Sequence, residues 1–158
     1  MSNIEKDKTL PRIHERKIVA ESRFFRVERV DLEFSNGATR QFERMAGYSR
    51  GAVMIVAVQD GHFLLVREYA AGTHSYELGF PKGLIDQGET ALEAANRELK
   101  EEAGFGAHDL QEVHKVNMAP TFFNAQMTIV IAHDLYPQQL PGDEPEPLEV
   151  VRWPIDRA

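Results

Sequence analysis

Apolar residues follow two different periods along this chain, and the change from one to the other marks out its elements. From Phe25 the pattern runs through Val27, Val30, Leu32 and Phe34, meets Asn36-Gly37, and resumes at Phe42 and Met45, which predicts a β-hairpin over residues 25–45. Residues 52–58 are a continuous apolar run, Asp60-Gly61 is a tight-turn signal, and residues 63–66 return as the partner strand. This second hairpin is expected at the centre of a sheet. Leu92, Ala95, Leu99 and Ala103 then recur at helical spacing. Thr90 with Glu93 reads as a capping box, residues 91–103 hold strong helix formers without Gly or Pro, and Gly104 stands where a left-handed residue ends a helix. The spacing therefore predicts a helix over 91–103, with Phe105 folding back on its last turn. Shorter strands are expected at 113–118, ahead of the Ala119-Pro120 break, at 127–132 and at 148–153. The proline-rich stretch 135–147 between the last two is a loop long enough to carry function, with Asp143, Glu144 and Glu146 as its acidic cluster. Residues 1–16 are polar and mixed in charge, so a loose tail is expected ahead of a single domain over 17–158, in which 17–46 is the N-terminal hairpin.

Glu98, Glu101 and Glu102 lie at i, i+3 and i+4, so the helix gives them neighbouring positions on one face. Carboxylates that close repel one another and drive up each other's pKa unless something cationic sits among them. Arg97 and Lys100 are too few to neutralise three charges and are expected to point elsewhere on the helical wheel. Hard divalent cations take oxygen ligands from carboxylates together with substrate phosphates, which points to Mg²⁺, with Mn²⁺ as a substitute. A solvated acidic helix face is the alternative reading.

Composition narrows the field. At 158 residues the chain is one domain by length, and 42% apolar with 27% charged residues is ordinary for a globular protein. A net charge of -7, from 25 acidic and 18 basic residues, argues against a broad nucleic-acid or membrane footprint, so a phosphate ligand needs local cations. There is no cysteine, which excludes disulfides and thiolate zinc sites. No apolar run approaches a membrane span and the first twenty residues lack a signal-peptide core, so a cytoplasmic protein is expected. The six histidines show no metal-ligand spacing, and neither a Ser-His-Asp arrangement nor a Walker-type loop is present.

The segment GLIDQGETALEAANRELKEEAGF, residues 83–105, resembles the box of the Nudix hydrolase family. Gly83, Glu89, Arg97, Glu98, Leu99, Glu101, Glu102, Gly104 and Phe105 fill every specified position. The resemblance implies an α/β (α+β) Nudix fold, a mixed sheet sandwiched by helices. The second covering helix is absent or barely begun before Ala158, so the C-terminus reads as truncated or shortened, and a dimer partner would then cover that face. It also implies metal-dependent hydrolysis of a nucleoside diphosphate linked to another group. Glu98, Glu101 and Glu102 would be the metal ligands, with the backbone carbonyl of Lys82, while Glu89 and Arg97 would support them. The general base comes from the helix in some branches, here Glu101. In ADP-sugar hydrolases it comes from a late loop, where Glu146 is the best positional match and Glu144 the second.

Pro120, fifteen residues beyond Phe105, resembles the marker of the ADP-ribose pyrophosphatase branch. The stretches VDLEFSNG, YELGFPKGLIDQGE, EAANRELKEE and GDEPEPL resemble a bacterial group within it that cleaves ADP-linked compounds. ADP-ribose, NADH-like dinucleotides and diadenosine polyphosphates are the implied substrates, with AMP as one product. Arg44 and Arg67 are candidate substrate contacts, and Phe24 is a candidate for stacking the adenine. Two departures argue for a broad substrate range. Glu68-Tyr69-Ala70 stands where many ADP-ribose hydrolases have Gln, an aromatic residue and Arg, and Phe80-Pro81-Lys82-Gly83 is reminiscent of dinucleoside polyphosphate hydrolases. In this family an N-terminal hairpin often helps form a homodimer, which is expected here; an extra pair of edge strands is the alternative. A catalytically silent module that senses a nucleotide is the rival function, although such modules usually lack a box carboxylate and none is missing here.

Overall fold

Strand pairing, more than burial, organises the N-terminal part of the chain. In the computed structural model, which describes residues 8–46 and 50–157, β1 (Arg12–Glu21), β2 (Arg26–Glu33) and β3 (Thr39–Ala46) form an antiparallel meander. The expected hairpin is β2–β3, and its turn closes as Asn36-Gly37 foretells. The Phe34 N–H donates to the Ala38 carbonyl at 2.9 Å, and the Asn36 side chain accepts from the Ala38 N–H at 3.0 Å. Ahead of it lies a difference from the sequence reading, because residues 12–16 are strand rather than tail. Every residue of β1 is exposed, so no buried stripe marks it in the sequence. The backbone ladder to β2 and pairs such as Arg29 to Glu15 at 2.9 Å hold it instead. The first seven residues of the expected tail lie outside the described residues. Residues 118–124 cluster with this unit, where the Met45 N–H donates to the Phe122 carbonyl at 2.7 Å.

The second unit, residues 50–117 and 125–158, is built on β4 (Ala52–Gln59). The two-residue turn at Asp60-Gly61 sets β5 (His62–Ala70) antiparallel to it, in the register the sequence predicts. β6 (Ser75–Gly79) pairs with β5, and β7 (Lys82–Leu84) pairs with β4. Beyond the helix α1 (Ala91–Ala103) come β8 (Phe105–Ala119), β9 (Phe123–Pro137) and β10 (Glu149–Pro154), then a 3₁₀ turn, Ile155–Arg157. β9 runs parallel to β4 while β5 and β7 run antiparallel, so the sheet is mixed. β6 was not anticipated, and β8 and β9 extend well past the apolar cores at 113–118 and 127–132. The added length of β8 and β9 mixes apolar and polar residues without a regular alternation, and the two strands pair with each other.

Val53, Ile55 and Ala57 of β4, Leu64 and Val66 of β5 and Val130 of β9 form the buried face of this sheet. Ala94, Ala95 and Leu99 of α1 close over it, and Phe105 packs at the edge. The helix follows its sequence signals closely. Thr90 Oγ1 accepts from the Glu93 N–H at 3.2 Å, the Glu93 carboxylate accepts from the Thr90 N–H at 2.8 Å, and Gly104 ends the helix at φ 74°. Leu92 of the expected stripe is only half-buried, and Ala94 takes its place inside. α1 is the one α-helix among the described residues, which makes the class α+β, and no described helix is long and apolar enough to cross a membrane.

Leu99 has no exposed surface and belongs to the apolar core under the helix. Leu99→Ala is expected to lose about 2–5 kcal/mol in urea unfolding followed by circular dichroism. Thr90→Ala, which removes one half of the capping box, is expected to lose only about 1 kcal/mol.

Candidate active site

The buried stripe of α1 runs directly alongside its acidic face, so two of the box glutamates are drawn inward. Glu98 is 9% exposed and Glu102 6%. Burial raises the pKa of both. Arg97 partly offsets this at Glu98, and the Lys82 N–H, which donates to Glu102 Oε2 at 3.0 Å, partly offsets it at Glu102, whose pKa is nonetheless pushed up to about 8.

Arg97 does not point away from the carboxylates, as the wheel suggested. Its Nε donates to Glu89 Oε1 at 2.8 Å, its Nη1 to Glu98 at 2.8 Å and Glu101 at 3.1 Å, and its Nη2 to Glu89 Oε2 and the Leu84 carbonyl, both at 3.0 Å. The long side chain lies back along the helix, and a five-donor fork can serve several acceptors at once. Glu89 also accepts from the Asp86 N–H at 3.0 Å, which closes the loop ahead of the helix. The hydrogen bond from Arg97 holds the Glu89 carboxyl below the usual carboxylate range. Because Glu98 and Glu101 meet on this guanidinium, and Glu102 bonds to Lys82 instead, no three carboxylates among the described residues stand ready as a metal cage.

β7 approaches this face at Gly83, where a Cβ would fall 2.0 Å from the Glu98 carboxyl. Any side chain at this position would have to displace that carboxyl. The result is a cleft of about 650 Å³ between α1, β7 and the loop after β9, with seven carboxylates in its walls against two cations, Lys82 and Arg97. Lys82 pairs through its ammonium with Glu68. Glu68 and the Lys82 side chain were noted in the sequence only as departures bearing on substrate range, yet Glu68 is two residues past buried Val66 and so shares its face of β5.

The late loop divides its acids. Glu144 lines the cleft, whereas Glu146, placed first by position, is outside the lining and accepts a hydrogen bond from the Tyr76 hydroxyl. Arg67 is likewise outside it, tied to Glu149 of β10 at 2.9 Å. Arg44 and Phe24 belong to the N-terminal unit, where Arg44 pairs with Glu28 at 2.7 Å and the Arg23 guanidinium lies 5.1 Å from the Phe24 ring.

A family model described as the NUDIX domain matches residues 47–156, and one described as the NudE-type Nudix hydrolase N-terminal domain matches residues 11–44. The ADP compounds hydrolase NudE of Escherichia coli (strain K12) is 62% identical over 145 residues, covering 92% of this chain and 78% of that protein. An ADP-ribose pyrophosphatase of Bacillus subtilis (strain 168) is 27% identical over 152 residues, 91% of this chain and 81% of its own. The crystal structure of an ADP compounds hydrolase matches with a TM-score of 0.91 at 60% identity, over 96% of this chain and 82% of that one.

The raised Glu102 pKa carries a sign that can be measured. Between the ordinary value of 4.5 and about 8 the folded state keeps a proton that the unfolded chain has released. Stability of the metal-free protein is therefore expected to fall as pH rises through that window and to level off above it. Thermal melting in the presence of a chelator checks this, and Glu102→Gln should flatten the slope. An equal slope in the variant would place its origin elsewhere.

Proposed function

Since this chain belongs to the Nudix hydrolase family, we propose that it hydrolyses the diphosphate of ADP-linked compounds, ADP-ribose among them, in the cleft between α1 and the loop after β9. The observation that carries this reading is the filled box, whose Glu98, Glu101 and Glu102 lie within about one turn of a capped helix and line a cleft large enough for a diphosphate. The 62% identity to an ADP compounds hydrolase supports the substrate class. The Lys82 ammonium in the cleft and the departures at Glu68-Tyr69-Ala70 support a range that extends to NADH-like dinucleotides and diadenosine polyphosphates, with AMP as one product.

The residues fit a hard divalent ion. Their donors are all oxygen, the carboxylates of the cleft outnumber its cations, and the one guanidinium is shared among Glu89, Glu98 and Glu101. Glu98, Glu101, Glu102 and the Lys82 carbonyl would hold Mg²⁺, or Mn²⁺ in its place. Such an ion screens the diphosphate charge, orients phosphorus for in-line attack and lowers the pKa of the attacking water. The protein's own part is positional. Arg97 and Glu89 fix the rotamers of the box glutamates, and Lys82 offers its ammonium to a phosphate oxygen. Glu144, on the opposite wall, is the group suited to take the water's proton, with Glu101 the rival on the helix. Exposed apolar side chains on β1–β3, Ile13, Ile18 and Phe42 among them, support a homodimer, and the fold and composition suit a cytoplasmic enzyme.

Chelation is expected to abolish release of AMP from ADP-ribose, followed by anion-exchange chromatography, and added Mg²⁺ to restore it. Glu98→Gln should remove turnover; if it leaves the rate untouched, the hydrolase reading is wrong. Glu144→Gln is expected to lower kcat by about 10²–10⁴-fold, the usual contribution of a general base, and by more than Glu146→Gln. The reverse order would hand the role to Glu146. Light scattering should report twice the monomer mass, and a monomer would remove the dimer from this proposal.

A further inference from the structure

The segment between β9 and β10 has no regular structure, yet it carries Glu144 to the wall of the cleft. Its near end is held by α1. An α-helix leaves its last carbonyls without partners, and here the loop supplies the donors. The Leu140 N–H bonds the Lys100 carbonyl at 3.2 Å, the Gln139 side-chain amide bonds the Glu101 carbonyl at 2.8 Å, and the Gln138 N–H bonds the Gly104 carbonyl at 3.0 Å. Gly104 also makes room for this clamp, since a Cβ there would meet Gln139 Oε1 at 2.7 Å.

The far end is held from the sheet. Glu146, three residues before β10 begins, accepts a hydrogen bond from the Tyr76 hydroxyl. Tyr76 is itself fixed, because it sits on β6 directly opposite Tyr69 of β5 and the two rings meet edge to face at 5.8 Å. Between the two anchors, Pro141 and Pro145 restrict the backbone on either side of Glu144. Glu144 and Glu98 both line the cleft. Tyr76 itself lies outside the lining of the cleft.

We propose that Tyr76 is a positioning residue whose hydroxyl, by holding Glu146, sets the loop so that Glu144 faces the box glutamates across the cleft. This rests on Glu144 as the base. Displacing a proton acceptor by about an ångström costs on the order of tenfold to a hundredfold in rate without weakening substrate binding by other groups.

The test is steady-state hydrolysis of ADP-ribose by the full chain with Mg²⁺. Tyr76→Phe removes one oxygen from an exposed ring, and is expected to lower kcat about tenfold with KM within about twofold. Glu146→Ala should reproduce that loss. In a Glu144→Gln background Tyr76→Phe should cost nothing further, because a residue acting through another has no separate effect once that other is gone. An unchanged kcat in Tyr76→Phe overturns the proposal, as does an equal loss in the Glu144→Gln background or a change confined to KM. Full activity in Glu144→Gln alone overturns the base assignment, and the role given to Tyr76 falls with it.

Discussion

The guanidinium of Arg97, shared among Glu89, Glu98 and Glu101, is the interaction on which the arrangement of the site depends. A helix that places three glutamates within one turn accumulates negative charge next to its own buried stripe, where solvent cannot screen it. Arg97 answers that charge from the same helix, and through the Leu84 carbonyl it fastens the acidic face to the end of β7. Glu89 completes the link, because one carboxylate binds both Arg97 and the Asp86 N–H. The loop entering the helix is thus held by the group that organises the acids on it. Without this arginine, burial would push the Glu98 carboxyl further toward its protonated form.

The spacing of the box acquires a physical meaning from this geometry. Gly83 and Gly104 stand at its two ends, and each permits a close approach that a Cβ would block, β7 against Glu98 at the first and Gln139 of the late loop at the second. Between them lies the length of helix needed to carry the acids from one approach to the other. The late loop therefore takes its position from the same helix as the glutamates it faces. Its backbone hydrogen bonds use carbonyls that a helix C-terminus otherwise leaves to water.

How much of this was legible in the sequence depended on whether the signal was local. The helix could be read to the residue at both ends, because the Thr90–Glu93 box and the αL glycine at 104 are set by neighbours a few positions away. The central hairpin was legible for the same reason, through Asp60-Gly61 and the apolar runs on either side. β1 was not, since a strand exposed along its whole length has no burial pattern and exists through its partner. The direction of Arg97 was not either. A helical wheel fixes a Cα, but a side chain with four torsions ends where its acceptors are. That Glu144 lines the cleft and Glu146 lies outside the lining was not legible either, because irregular backbone gives no rule for which of two nearby acids faces inward.

Burying Glu98 and Glu102 is unfavourable for the isolated chain, and the reason to retain such groups lies in what they can bind. Charge deficient in partners, close to a wall that offers few cations, attracts a divalent ion more strongly than the same carboxylates would in water, where hydration competes. An ion held there, as proposed above, would stabilise only the folded arrangement that gathers its ligands, so metal affinity and fold stability would draw on one free energy. The Arg97 network limits the conflict in the meantime. It keeps Glu98 and Glu101 in place by hydrogen bonds that an arriving cation can share with them, and it leaves Glu102 to the Lys82 N–H on the adjoining strand. A site built this way is pre-organised without being neutralised, because the one guanidinium in the cleft is shared among three carboxylates.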